Sequence, residues 1–430
     1  MRDGAGSSGA DPPPPGPADA KRQGRVSFSA RVLESPVYRR IWLSGFLFAN
    51  ARWVEIITSG WIVLALTGSP FLVGLTGFFR VLPMLVFGSI FGALADRFTR
   101  INILLGIHAV SLLAAVVLAM TFLRGGDSLL IVYPLIFVLG SGTAADFSAR
   151  AALIDEVQER SLLANSMSLE SLSVSGAKIS SGLVTGLLLS AGGVGLAYGY
   201  LAVLYTAGLI WILGIKRLLP ARQVHPESLR VIASPSSGWA SALRLPVVRG
   251  VFLVTIIINI LVFPYQQLIA IVASDILSVG PFWMGVLAGA DGVGGVLTAA
   301  WLTFGSGARR PGALFIGGAI GAAAMLVGLA LSPIFALSLA IQFAYGICTG
   351  LFGAHQAALV LSAAPSASRA RALGLIATAI GLTPIGMLLI GGLSSAAGAQ
   401  VTMATMAGLG FLGLVLVLAF NPQLRTAKIG

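Results

Sequence analysis

The 430-residue chain has little charge: Asp, Glu, Lys and Arg make up 10% of it, while 57% of its residues are hydrophobic and its mean hydropathy is +0.94. Soluble domains carry about 25% charged residues, so a water-soluble globular protein is excluded. A lipid bilayer can hold this much apolar surface, at about 20 apolar residues for each helical span. Once a polar N-terminal tail and a polar middle stretch are set aside, the chain has room for about twelve spans.

Cysteine and histidine are scarce as well. The single cysteine, Cys348, excludes an intramolecular disulfide. His108, His225 and His355 are too far apart in the sequence to show a metal-ligand spacing. The glycines of 408–413 fit the dinucleotide fingerprint in letters only, since no strand precedes them and no acidic residue follows at the required distance. With no Walker sequence either, we expect no metal, no cofactor and no enzymatic activity.

Apolar stretches of spanning length occur twelve times and are separated by turn residues. They lie at about 41–66, 71–94, 101–123, 129–149, 163–189, 194–215, 249–273, 281–303, 313–331, 334–360, 372–394 and 400–420. The predicted fold is an all-α membrane protein of twelve transmembrane helices in two six-helix bundles. The predicted units are a disordered tail at 1–38 without a signal peptide, bundles at 39–215 and 249–422, a linker at 216–248 and a second tail at 423–430.

The distribution of basic residues predicts the topology. Of the 27 Lys and Arg residues, 22 lie in the tails and in the connections that follow even-numbered spans, four lie within spans, and only Arg124 lies on the opposite side. Basic residues in short loops stay cytoplasmic, so both termini are predicted to be cytoplasmic. The net charge of +12 then reflects the basic residues on the cytoplasmic side of the membrane, and we expect no nucleic-acid partner.

Two short segments recur in the two halves of the chain. Residues 70–74 (PFLVG) match 281–285 (PFWMG), and residues 151–154 (AALI) match 357–360 (AALV), at offsets of 211 and 206 residues. The matches fall at the second and eighth spans and at the fourth and tenth. Parallel repeats are one known way to build a transporter, so the two bundles are predicted to be pseudo-symmetric.

The connection after the second span, residues 92–100 (GALADRFTR), resembles the signature loop of the major facilitator superfamily, with Gly, three residues, Asp-Arg, two residues and then Arg. Thr99 and Ile101 depart from the usual Gly and basic residue. The resemblance implies the major facilitator fold and a cytoplasmic gate formed by Gly92, Asp96, Arg97 and Arg100.

Further stretches resemble the branch of that superfamily that contains the enterobactin exporter and macrolide-efflux-like proteins. They are 53–61 with 66–70, then Ala149-Arg150 with 152–154 and Glu156, then 163–165. In the fifth helix, Lys178 and then Ser181-Gly182 stand where such exporters usually have Arg and then Gly-Pro. The resemblance implies proton-driven export of amphipathic small molecules, such as siderophores or drugs. The protein is expected to lie in the inner membrane of the cell.

Ionisable residues inside a span cost about 2.5–3.5 kcal/mol each and are functional candidates by default. The chain has four basic and four acidic ones, which suits mutual pairing: Arg52, Glu55, Arg80, Asp146, Arg150, Glu170, Lys178 and Asp291. Asp146 and Arg150 are four residues apart on one helix face, with Glu170 early in the next span. We expect these three to add an ion cluster to the cytoplasmic gate, with substrate or proton contact as the alternative.

The other five charged residues lie near mid-depth. Glu55 and Asp291 are the candidates for proton coupling, because carboxylates in a low-dielectric cavity respond to both desolvation and nearby cations. Arg52, Arg80 and Lys178 either hold these carboxylates or bind an anionic part of the substrate. The alternative is that all five form fixed structural salt bridges.

Trp53, Gln266 and Gln267 are further substrate candidates, because aromatic rings suit amphipathic solutes and amides in a span need polar partners. Packing against lipid or other helices is the alternative for each of them.

The best interpretation is a secondary carrier in the lipid bilayer that works as a monomer, with a small-molecule substrate and protons as the coupling ion. Uptake of an anionic metabolite is the first alternative, favoured if Arg52, Arg80 and Lys178 form an unpaired basic site. A non-transporting membrane sensor or scaffold is the second.

Overall fold

A computed structural model describes residues 32–97, 99–159, 162–218, 243–304, 310–365 and 368–427. These residues form long helices joined by short turns, which we number α1 to α12. They are α1 Pro36–Thr67, α2 Pro70–Arg97, α3 Arg100–Leu123, α4 Leu129–Val157, α5 and α6 as the two arms of Leu163–Leu218, α7 Pro246–Ile276, α8 Pro281–Phe304, α9 Pro311–Ala330, α10 Phe335–Ala363, α11 Arg369–Gly381 with Thr383–Ala397, and α12 Ala399–Phe420.

Within the described ranges, ten helices are long and apolar enough to cross a membrane. One of them, Asn165–Leu218, has 54 residues, and its length of about 80 Å is enough for two crossings of a hydrocarbon core about 30 Å thick. The 32-residue α1 is not among the ten, because Arg52, Glu55 and other polar residues lower its hydropathy. With α1 counted and the long helix counted twice, the predicted twelve-helix, all-α fold is confirmed.

The helices run back and forth between two ends of the bundle. We call the end that holds the first and last described residues the terminal end, and the opposite end the distal end. Four glycines with positive φ lie at distal turns: Gly68, Gly125, Gly193 and Gly398. Gly193, with φ 73° and ψ −165°, breaks the long helix into α5 and α6. Because residues with a side chain rarely adopt this backbone conformation, glycine is required there.

The structure corrects the predicted boundaries of the tails and the linker. The tail predicted at 1–38 is too long, because Val32 and Tyr38 are buried, and Ser35 caps α1 by accepting a hydrogen bond from the Tyr38 amide. The second tail begins with a helical turn whose Leu424 is buried. Helices α6 and α7 extend into both ends of the predicted linker. The rest of the first tail and of the linker lies outside the described residues.

Helix α7 is irregular at mid-depth. It is α-helical to Ile257, widens into a π-helical turn at Ile258–Val262 and tightens into a 3-10 segment at Phe263–Leu268. Pro264 lies inside the 3-10 segment, and proline supplies no amide hydrogen for the helix. Local widening of this kind is frequent at functional sites.

Glycines let the two halves approach closely toward the distal end. Helix α2 meets α11 where a Cβ added to Gly74 would lie 2.7 Å from the Gly391 Cα. Helix α5 meets α8 where a Cβ added to Gly182 would lie 2.6 Å from the Gly285 carbonyl oxygen. Small residues at such spacing allow close helix packing in lipid. The two halves are therefore closed against each other at the distal end.

Candidate functional site

An ion pair between α1 and α2 occupies the interior of the first half. Arg80 donates from Nε and Nη2 to the two carboxylate oxygens of Glu55, at 2.7 and 2.9 Å. Its Nη2 also donates to Ser59 Oγ at 2.7 Å. The Arg80 and Glu55 side chains are only 6% and 3% exposed. A bidentate pair of this kind holds both charges in one geometry.

A second ion pair joins the two halves. Lys178 on α5 donates from Nζ to the carboxylate oxygens of Asp291 on α8, at 2.8 and 3.1 Å. The side chains are 18% and 7% exposed. The Lys178 ammonium also lies 4.7 Å from the centre of the Trp53 ring on α1, a cation–π distance. Three helices thus meet around one charge.

Arg52 differs from the other cations at this depth. It is exposed, and it forms no ion pair with any residue in the described ranges. Its guanidinium lies 5.7 Å from the centre of the Trp53 ring. Although Glu55 lies only three residues further along α1, it pairs with Arg80 and not with Arg52.

The two glutamines of α7 take different places. Gln267 is buried, and its side-chain oxygen accepts a hydrogen bond from Thr76 on α2 at 3.2 Å, which links the two halves. Gln266 is half-buried. Beside them, the buried Tyr265 donates to Gln342 on α10 at 3.1 Å. Sequence reasoning missed Thr76 and Gln342, whose partners lie on helices distant in the chain.

A third charge cluster lies toward the terminal end of the first half. Arg150 donates to both carboxylate oxygens of Asp146, at 2.6 and 3.0 Å. It also donates to the Ile41 carbonyl oxygen at 2.8 Å and to Ser44 Oγ at 2.9 Å, so α1 and α4 are tied together. Glu170 on α5 lies 3.8 Å from Arg150 Nε, a longer and weaker contact. Both α1 partners of Arg150 were missed from the sequence.

Of the remaining gate candidates, the structure describes the side chain of Arg100 alone. Arg100 lies 3.8 Å from Glu156 on α4, and both side chains are about one-third exposed, at 31% and 30%. The side chains of Gly92, Asp96 and Arg97 lie outside the described residues. The signature-loop contact implied by the resemblance therefore stays a prediction.

Two helical halves held together at mid-depth by an ion pair, with a further exposed cation at the same depth, are typical of a membrane transporter and not of a simple anchor. The family described as transmembrane secretion effector matches residues 28–428. The chain belongs to this family, within the major facilitator superfamily. No curated protein matches the sequence.

Solved structures with the same fold are also transporters. A peptide transporter POT in complex with sulfate has a TM-score of 0.70 and 12% identity, with 94% of this chain and 99% of that chain covered. The nucleoside transporter NupG has a TM-score of 0.68 and 12% identity, with coverage of 90% and 99%. The human organic anion transporter MFSD10 has a TM-score of 0.65 and 14% identity, with coverage of 89% and 100%. At such identities the likeness establishes the fold alone.

Proposed function

We propose that this protein is a proton-coupled secondary transporter that exports amphipathic small molecules of the drug or siderophore type by alternating access. It works as a monomer in the inner membrane, with both termini in the cytoplasm. The family description, transmembrane secretion effector, favours export over uptake. The resemblance to the enterobactin exporter and macrolide-efflux-like branch suggests the substrate type.

The observation that carries the proposal is the Lys178–Asp291 pair. It joins α5 to α8 at mid-depth, and toward the distal end these same two helices pack closely against each other. Opening the distal end by rocking the halves apart separates these two groups. A buried charge that loses its partner is strongly destabilised. Protonation of Asp291 removes that penalty for the carboxylate, so proton binding and opening are coupled.

Glu55 has a different place in this scheme. Its partner Arg80 belongs to the same half, so rocking the halves leaves the pair intact. We assign Glu55 to a second protonation step, in which release of Arg80 alters the polarity of the cavity. We therefore expect Glu55→Gln to reduce substrate-dependent proton flux less than Asp291→Asn does.

The test uses proteoliposomes loaded with a fluorescent pH indicator and given an imposed pH gradient. Erythromycin, enterobactin and 1-naphthalenesulfonate are added separately, and substrate-dependent proton flux is measured against protein-free liposomes. We expect proton flux with at least one solute, reduced about tenfold or more by Asp291→Asn. Asp127→Asn, in an exposed turn, is the matched control and keeps the wild-type flux. Unchanged flux in Asp291→Asn contradicts the coupling role. If none of the three solutes produces proton flux, the proposed substrate type is contradicted.

Uptake of an anionic metabolite is the second candidate function, favoured by the unpaired Arg52. Of the three mid-depth cations, however, Arg80 and Lys178 have carboxylate partners, and only Arg52 is unpaired among the described residues. Direction decides between the two functions. Deletion that causes drug sensitivity or siderophore retention indicates export, whereas failure to grow on one nutrient indicates uptake.

A further inference from the structure

Arg52 faces a gap between helices and not the lipid. It is the seventeenth residue of the 32-residue α1, close to mid-depth. Residues seven apart share a face of a helix, and both such neighbours of Arg52 contact other helices of the same half. A Cβ on Gly45 would lie 2.6 Å from a Glu170 carboxylate oxygen, and Ser59 accepts the hydrogen bond from Arg80. An exposed residue between two such contacts lies over an internal space.

Trp53 offers a second unsatisfied donor beside Arg52. Its indole Nε1 is buried and has no hydrogen-bond partner among the described residues. An indole N–H is a donor only, and a guanidinium carries five donor hydrogens and no acceptor. The buried indole N–H lacks an acceptor, which costs free energy, and the exposed Arg52 guanidinium has its donors free for one.

The charge at this depth points in the same direction. Glu55 and Asp291 are each engaged by a cation through both carboxylate oxygens. Among the residues that the structure describes, three cations and two carboxylates lie at this depth, which leaves one positive charge at Arg52. The mid-depth position excludes a lipid headgroup, since headgroups stay at the bilayer surface.

We infer that Arg52 and Trp53 form an anion-binding site for the charged group of the transported solute. The inference rests on the proposed transport function and narrows its substrate class to amphipathic anions. The guanidinium and the indole N–H donate to the anionic group, and the Trp53 ring packs against its apolar part. A sulfonate, carboxylate or phosphate fits these donors, whereas a cationic solute is repelled.

Three naphthalene probes of similar size test the charge preference. Binding of 1-naphthalenesulfonate, 1-naphthalenesulfonamide and 1-naphthylmethylammonium to the full chain is measured by calorimetry in phosphatidylcholine nanodiscs, with empty nanodiscs as the blank. We expect the sulfonate to bind about tenfold or more tightly than the neutral sulfonamide, the range of one charge-assisted hydrogen bond. The ammonium probe is expected to bind weakest. Equal affinities, a preference for the ammonium, or no binding of the sulfonate overturns the inference.

Variants locate the site. Arg52→Gln is expected to abolish the preference for sulfonate over sulfonamide, whereas Arg52→Lys retains most of it. Trp53→Phe keeps the ring and removes the N–H, so the sulfonate binds about fivefold more weakly. Arg124→Gln, which removes an exposed cation at a distal turn, is the matched control and keeps the preference. If Arg52→Gln keeps the preference too, Arg52 is not the anion-binding group.

Binding and transport fail independently. A wild-type protein that drives proton flux in proteoliposomes but shows no anion preference keeps the proposed function and loses the inference. A wild-type protein that shows the anion preference but drives no proton flux keeps the inferred anion-binding site and loses the proposed proton-coupled function.

Discussion

The Glu55–Arg80 pair is the most enclosed pair of opposite charges among the described residues. Arg80→Met leaves the buried carboxylate unpaired, and removing one partner of a buried pair costs about 3–5 kcal/mol. We expect a lower temperature of thermal unfolding in detergent, followed by tryptophan fluorescence. The double variant Glu55→Leu with Arg80→Met removes both charges, so it is expected to recover most of the loss. A double variant as unstable as Arg80→Met alone would show that the loss does not come from the unpaired carboxylate.

Spacing along one helix predicted some side-chain contacts and missed others. Asp146 and Arg150 do meet, because residues four apart share a face and their contact needs no knowledge of other helices. Arg52 and Glu55 are three apart, yet Glu55 binds Arg80 on the next helix through two hydrogen bonds. Such a choice depends on how neighbouring helices are rotated about their axes, which a single sequence does not specify.

At the scale of helices, the α5–α8 contact depends on the absence of side chains at Gly182 and Gly285. Gly182→Val places a branched side chain against the Gly285 carbonyl, so the helices must separate. We expect this variant to shift the protein toward a state that is open at the distal end. Electron–electron distance measurements between spin labels at Asp127→Cys and Leu331→Cys, in a Cys348→Ser background, report the change as a longer distance.

The matched control for that variant is Gly317→Val on α9, where an added Cβ meets nothing within 4 Å. It is expected to leave the distance distribution unchanged. An identical distribution in Gly182→Val would mean that close packing at this point does not hold the distal end closed.

Sequence predicted the helices better than their ends and irregularities. Long apolar runs predicted the number of spans, and the break predicted between the spans at 163–189 and 194–215 contains Gly193, where the long helix divides into α5 and α6. The π and 3-10 segments of α7 were not predicted, because Pro264 signals a disturbance without specifying how the backbone absorbs it. The start of α1 was placed too late, since Val32 and Tyr38 gain burial from contacts with other helices.

For the whole molecule, composition alone excluded a soluble fold, and the segment matches at Pro70 and Pro281 predicted two related halves. Both prolines are the first residues of their helices, α2 and α8. The site could not be assembled in the same way. The Lys178–Asp291 pair joins residues 113 positions apart, and only the packing of the two halves brings them together.

The orientation of the molecule in the membrane is open to a direct test. The 22 basic residues at one end against one at the other predict that the terminal end is cytoplasmic. In a Cys348→Ser background, Asp127→Cys at a distal turn is expected to react with a membrane-impermeant maleimide in intact cells. Thr426→Cys at the terminal end is expected to react only after the cells are permeabilised, and the background without an added cysteine should stay unlabelled. Labelling of Thr426→Cys in intact cells would reverse the topology, and an exporter would then have to take up its solute from the opposite side.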